Sequence, residues 1–80
     1  MLQSLKAYPN PTQGIFSIHI NGVTSPKGQL LIVDFSGRIL IQKEITNTDT
    51  KINLSGLAAG KYILNYRDGD HYANLKIIKK

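Results

Sequence analysis

Apolar side chains recur at every second position along this chain, and no segment sustains the 3.6-residue spacing of a helix. In IFSIHIN (15–21), Phe16, Ile18 and Ile20 point one way while Ser17, His19 and Asn21 point the other. That pattern makes a strand with one dry face and one wet face. It excludes helical bundles and leaves sandwiches or barrels.

The remaining segments read the same way. QLLIVDF (29–35) is apolar on both faces in its middle, which predicts a central strand, and SG (36–37) turns it into RILIQKEI (38–45), with Ile39, Ile41 and Ile45 sharing a face. KINL (51–54) is a short strand directing Ile52 and Leu54 inward. SGLAAG (55–60) is a corner between layers with Leu57 as its apolar plug. KYILNYR (61–67) puts Tyr62, Leu64 and Tyr66 on a core face, and HYANLKIIKK (71–80) does so with Ala73, Leu75 and Ile77. Between them Asp68-Gly69 is a strong hairpin signal. NGVTSPKG (21–28) and TNTDT (46–50) read as loops. Counting the LKAY lead-in, about seven short strands at regular spacing predict a two-layer antiparallel β-sandwich of the immunoglobulin/fibronectin-like kind, with a closed barrel as the alternative.

Eighty residues make one small domain with a slim core. Without cysteine there is no disulfide, thiolate metal site or cysteine nucleophile. The net charge is +5, and Lys76, Lys79 and Lys80 put part of that excess in the last five residues. Such charge attracts any anionic partner, and it also serves as a solubilising surface. The start, MLQSLKAYP, lacks the basic, apolar and small-residue regions of a secretory signal.

Chemistry-bearing constellations are sparse. His19 and His71 form no HxH or HxxxH pair, and Asp70 beside His71 points to the opposite strand face, so a metal site is not expected. Ser17 and His19 share a face but lack an oxyanion loop and a third group. The chain has one glutamate, Glu44, and its aspartates sit in or beside turns, which does not suit a paired-carboxylate site. Tyr8 and Tyr72 are the tyrosines left for solvent, too few for a nucleic-acid stacking platform. The expected protein is not an enzyme and uses no cofactor, nucleic acid or small-molecule substrate.

Two prolines in YPNPTQG (8–14) stiffen the chain and remove ladder donors, so this stretch reads as an extended lead-in that turns at Gly14 and blunts a first edge strand. YPNPTQG, with Tyr8, Pro9, Asn10, Pro11 and Gly14, resembles the opening of the type IX (Por) secretion system C-terminal sorting domain, type A, of Bacteroidetes. IVDFSGRIL, with Asp34 and Gly37, resembles that family's strand-turn-strand. INLSGLAAGKYIL resembles its most distinctive run through Ile52, Leu54, Ser55, Gly56, Leu57, Gly60 and Tyr62, and LKIIKK resembles its basic last strand.

The resemblance implies a non-enzymatic address label over residues 8–80, with 1–7 as the end of an upstream linker. It implies an N-terminally attached cargo that passes through the periplasm and is recognised by a shuttle, a translocon and a sortase at the outer membrane. The cargo then reaches the cell surface or medium, and the domain is cleaved off upstream of Tyr8. The motif residues are expected to serve mainly the fold. Recognition is expected at Leu75, Lys76, Ile77, Ile78, Lys79 and Lys80, where a last strand offers its free edge and its charge. The alternative is a non-catalytic carbohydrate- or protein-binding accessory module of a secreted enzyme or adhesin.

Overall fold

The alternating segments form seven strands: β1 (Ser4–Tyr8), β2 (Ile15–Asn21), β3 (Gly28–Val33), β4 (Ile39–Ile45), β5 (Asp49–Asn53), β6 (Gly60–Asp68) and β7 (His71–Lys79). The computed structural model describes residues 4–22, 25–69 and 71–80. Val23 and Thr24 of the 21–28 loop, Asp70, and the side chains of Ser4 and His71 lie outside that description.

Two antiparallel sheets result, one ordered β1-β2-β5 and the other β4-β3-β6-β7. The first pairs Phe16 with Ile52 and Ala7 with Ile18; the second pairs Leu30 with Tyr66 and Leu64 with Leu75. As the run of apolar residues predicts, β3 is central, flanked by β4 and β6. The two sheets enclose a single core of Phe16, Ile18, Ile20, Leu30, Ile32, Ile45, Ile52, Leu54, Tyr62, Leu64, Tyr66 and Ile77. Leu57 packs against its edge, the plug that the corner required.

Several boundaries move. Asp34 and Phe35 leave the predicted strand for a tight turn, because Asp34 bonds locally to Ser36 and Arg38. Phe35 is consequently 62% exposed. The shared face of Ile39, Ile41 and Ile45 is also corrected. The register shifts between Ile32, opposite Ile41, and Val33, opposite Ile39, leaving Leu40 as an extra residue. Such a bulge reverses side-chain alternation beyond it. Ile45 is therefore buried and Ile41 packs on the core, while Ile39 faces solvent at 58% exposure.

Gly28 has a role that no turn signal gives it. A Cβ there would lie 2.4 Å from the Arg67 carbonyl oxygen and 2.9 Å from the Tyr66 ring. Only a residue without a side chain lets β3 begin under Tyr66. Gly28→Ala is expected to destabilise the domain by about 1–3 kcal/mol, the usual cost of overpacking. Gly56→Ala, where an added Cβ meets nothing within 4 Å, should change stability by no more than about 0.5 kcal/mol. Urea denaturation of the two variants checks both.

Candidate recognition surface

Four stretches far apart in sequence meet at one pole of the sandwich. The first is the segment after β1. It bends at residues 9–11, with the Tyr8–Pro9 and Asn10–Pro11 peptides cis, and is not the extended lead-in expected from proline chemistry. Its polar groups explain its course. The Asn10 side-chain amide donates to the Lys76 carbonyl at 3.0 Å, and its oxygen accepts from the Ile78 amide at 3.1 Å. Thr12 donates its amide to the Ile78 carbonyl and accepts from the Lys80 amide, both at 2.8 Å. The segment thus lies along the outer edge of β7 as a strap. Thr12 is buried, and its hydroxyl donates to the Ile15 carbonyl and accepts from the Gly14 amide.

The corner after β5 is the second stretch. Leu54 donates its amide to the Gly14 carbonyl at 2.7 Å, which ties corner to strap. Within the corner, Leu57 N–H bonds the Leu54 carbonyl, Ser55 N–H bonds the Asn53 side chain, and the Tyr62 hydroxyl donates to the Ala58 carbonyl. The third stretch, β7, reaches the same corner: Lys79 Nζ donates to the Leu57 carbonyl at 2.5 Å.

The fourth is the turn between β3 and β4. One carboxylate organises it. Asp34 Oδ1 accepts from the Ser36 hydroxyl (2.6 Å), the Ser36 amide (3.0 Å) and the Arg38 amide (3.0 Å), while Oδ2 accepts from Arg38 Nε at 3.0 Å. Gly37 closes the loop with φ of 91°, a left-handed conformation that favours glycine. These donors, the Ser36 hydroxyl foremost, pull the Asp34 carboxyl down to about 2.

The expected recognition residues divide by environment. Ile77 is fully buried and Leu75 packs against the core, so both support the fold. Lys79 is committed to the Leu57 carbonyl. Lys76 and Lys80 are exposed, and Ile78 is 36% exposed. The free edge expected along β7 is already paired with Asn10 and Thr12 over Lys76–Lys80, because the strap folds back from the other end of the chain. The motif residues Tyr8, Pro9, Asn10, Pro11 and Gly14 belong to this strap or flank it, and Ile52 and Leu54 are core. The Asp68-Gly69 hairpin lies at the opposite pole, where Asp68 pairs with His71. There Tyr66 donates its hydroxyl to Asp68, and burial, reinforced by that carboxylate, raises the phenol to about 12.

On the outer face of the smaller sheet, His19 Nδ1 lies 2.8 Å from Asp49 of β5, and Nε2 lies 3.0 Å from the Asn21 side-chain oxygen. Cross-strand pairing supplied the carboxylate that β2 itself lacks. Both ring nitrogens are thereby engaged, which leaves neither for Ser17. Among the described residues no group of three or more metal-ligating side chains converges.

The chain matches the family described as "Secretion system C-terminal sorting domain" over residues 6–80. This chain belongs to that family. Its members are sorting signals of the type IX secretion system of Bacteroidetes, non-catalytic domains attached to a cargo and exported with it to the cell surface or the extracellular space. No curated protein matches the chain. The four stretches that meet at the pole of this sorting domain are the four that carry the family resemblance.

Two outcomes follow from this geometry. Asn10→Ala removes two bonds to β7 and should cost about 1–2 kcal/mol in denaturant unfolding, at about 1 kcal/mol per bond. Asp34 binds fewer protons folded than unfolded between its ordinary 3.8 and about 2, so its contribution is complete above that window and is lost as pH falls through it. The melting temperature of Asp34→Asn should accordingly fall less steeply across that window than that of the wild type.

Proposed function

We propose that residues 8–80 form the folded address label of a cargo joined upstream through residues 1–7. The family match over 6–80 carries this reading. In it, the cargo passes through the periplasm, the domain is received at the outer membrane by the shuttle and translocon, and a surface sortase cuts upstream of Tyr8.

Contact with the machinery draws on the exposed basic end of β7. Lys80 sits beside the strap with its side chain free in solvent, a position where opposite charge on a partner steers docking. Lys79 and the buried Ile77 hold that end in shape. Removing Ile77–Lys80 would take away a core side chain and three strap bonds together, so a truncation would report folding as much as recognition. The accessory-module reading wants a cluster of exposed aromatics. Tyr8 and Tyr72 are 53% and 51% exposed, but they stand on different sheets.

The test is a fluorescent reporter with an inner-membrane signal peptide, fused ahead of residues 1–80 and expressed in a type IX-competent bacterium. The wild-type fusion should reach the surface or medium, and Lys80→Glu should lower the exported fraction about threefold or more while the purified domain melts unchanged. Retention of the wild-type fusion in the periplasm would refute the sorting role, and full export of Lys80→Glu would remove Lys80 from it.

A further inference from the structure

The outer face of the β4-β3-β6-β7 sheet is not the polar surface that alternation normally leaves to water. One cross-strand row reads Ile39, Val33, Ile63, Lys76, with Val33 paired to both Ile39 and Ile63, and Ile63 to Lys76. Three of its four positions are apolar. Ile39 is well exposed, and Val33 and Ile63 are half-buried. Beyond it lies the pair Lys61 and Ile78. Phe35, thrown out of β3 by the Asp34 turn, shares this face: Lys76 Nζ lies 5.9 Å from its ring centroid. The bulge in β4 is what turns Ile39 outward to complete the patch.

The charges around the patch have one sign. Among the described residues, the patch row and the Lys61–Ile78 pair beside it carry Lys61 and Lys76 and no carboxylate, while Arg67 and Glu44 flank Gln29 in one row two rows away. The nearby Asp34 carboxylate is consumed by Ser36 and Arg38. A second copy of this chain would bring lysine to lysine, whereas an apolar partner surface bordered by carboxylates would match both features.

We propose that this face is a docking surface for a protein of that chemistry, apolar at its centre and acidic at its rim, and that in the sorting reading, on which this rests, the partner belongs to the export machinery. Phe35, Ile39 and Ile63 supply the apolar contact, and Lys61 and Lys76 select the acidic rim. This second surface lies beside the pole of the motifs and is distinct from Lys80.

The reporter fusion tests it with three variants: Ile39→Thr/Ile63→Thr, which keeps β-branched residues, Lys61→Glu/Lys76→Glu, and the control Lys51→Glu on the outer face of the smaller sheet. The first two should cut export about tenfold or more, with unaltered melting of the purified domains, and the control should export normally. Normal export of the first two beside an exported wild type overturns the docking surface while leaving the sorting role standing. Retention of the wild type would refute the sorting role instead. Two further measurements bear on the occupant. Concentration-dependent dimerisation abolished by Ile39→Thr/Ile63→Thr would assign the face to a second copy. Flotation of the domain with phosphatidylglycerol vesicles, lost in the same variant, would assign it to a membrane. Either result overturns the proposal of a protein partner, and a monomer that does not float supports it.

Discussion

One contact closes this fold: the strap of Pro9, Asn10, Pro11 and Thr12 lying on the outer edge of β7. A small two-sheet body has open edges, and an unpaired edge strand is a template for association with other chains. Here the chain leaves β1, crosses to the other sheet and pairs with the final strand before turning into β2. The Asn10 side-chain amide acts as a short piece of strand, giving and taking one bond where proline neighbours leave no usable backbone donors. The N-terminal segment and the last strand therefore stand or fall together.

The strap works because its surroundings are held from inside. Phe16, Ile18 and Ile20 from one sheet meet Leu30, Ile32, Leu64 and Tyr66 from the other, and Ile77 ties β7 into that same layer. Leu54 is buried and bonded to Gly14, so the corner after β5 is fixed to the strap as well as to the core. Lys79 adds a bond from β7 to that corner. A basic residue near the end of such a strand looks like a recognition charge, yet its ammonium is spent on the carbonyl of Leu57. The free charge of the terminal strand is at Lys76 and Lys80. One of these lies over Phe35 on the outer face, and the other lies at the strap.

The two-sheet architecture, the central place of β3 and most of the core were legible in the sequence, because each follows from alternation within a few neighbouring residues. Phe16, Ile18, Ile20, Tyr62, Leu64 and Tyr66 point inward as their spacing predicts. Legibility failed wherever a distant partner decided the outcome. The bend of YPNPT depends on β7 carbonyls nearly seventy positions away, and the His19–Asp49 pair depends on β5 lying against β2. Ile39 was misassigned because a bulge depends on how two strands meet and leaves no mark in a single strand. Gly28 read as a loop residue because the ring that forbids a side chain there belongs to β6. The family motifs were visible as separate words, but their convergence at one pole was not.

Hydrogen exchange along β7 tests the strap most directly. In an antiparallel edge strand, alternate residues direct both backbone groups to the same side. Tyr72, Asn74 and Ile78 therefore share the outer edge, and among the described residues the strap is paired only from Lys76 onward. NMR-detected exchange should show the Ile78 and Lys80 amides protected and the Tyr72 and Asn74 amides fast. Rapid exchange at Ile78 and Lys80, matching that of Tyr72, would mean that the strap does not hold the last strand and would contradict this account of how the domain is closed.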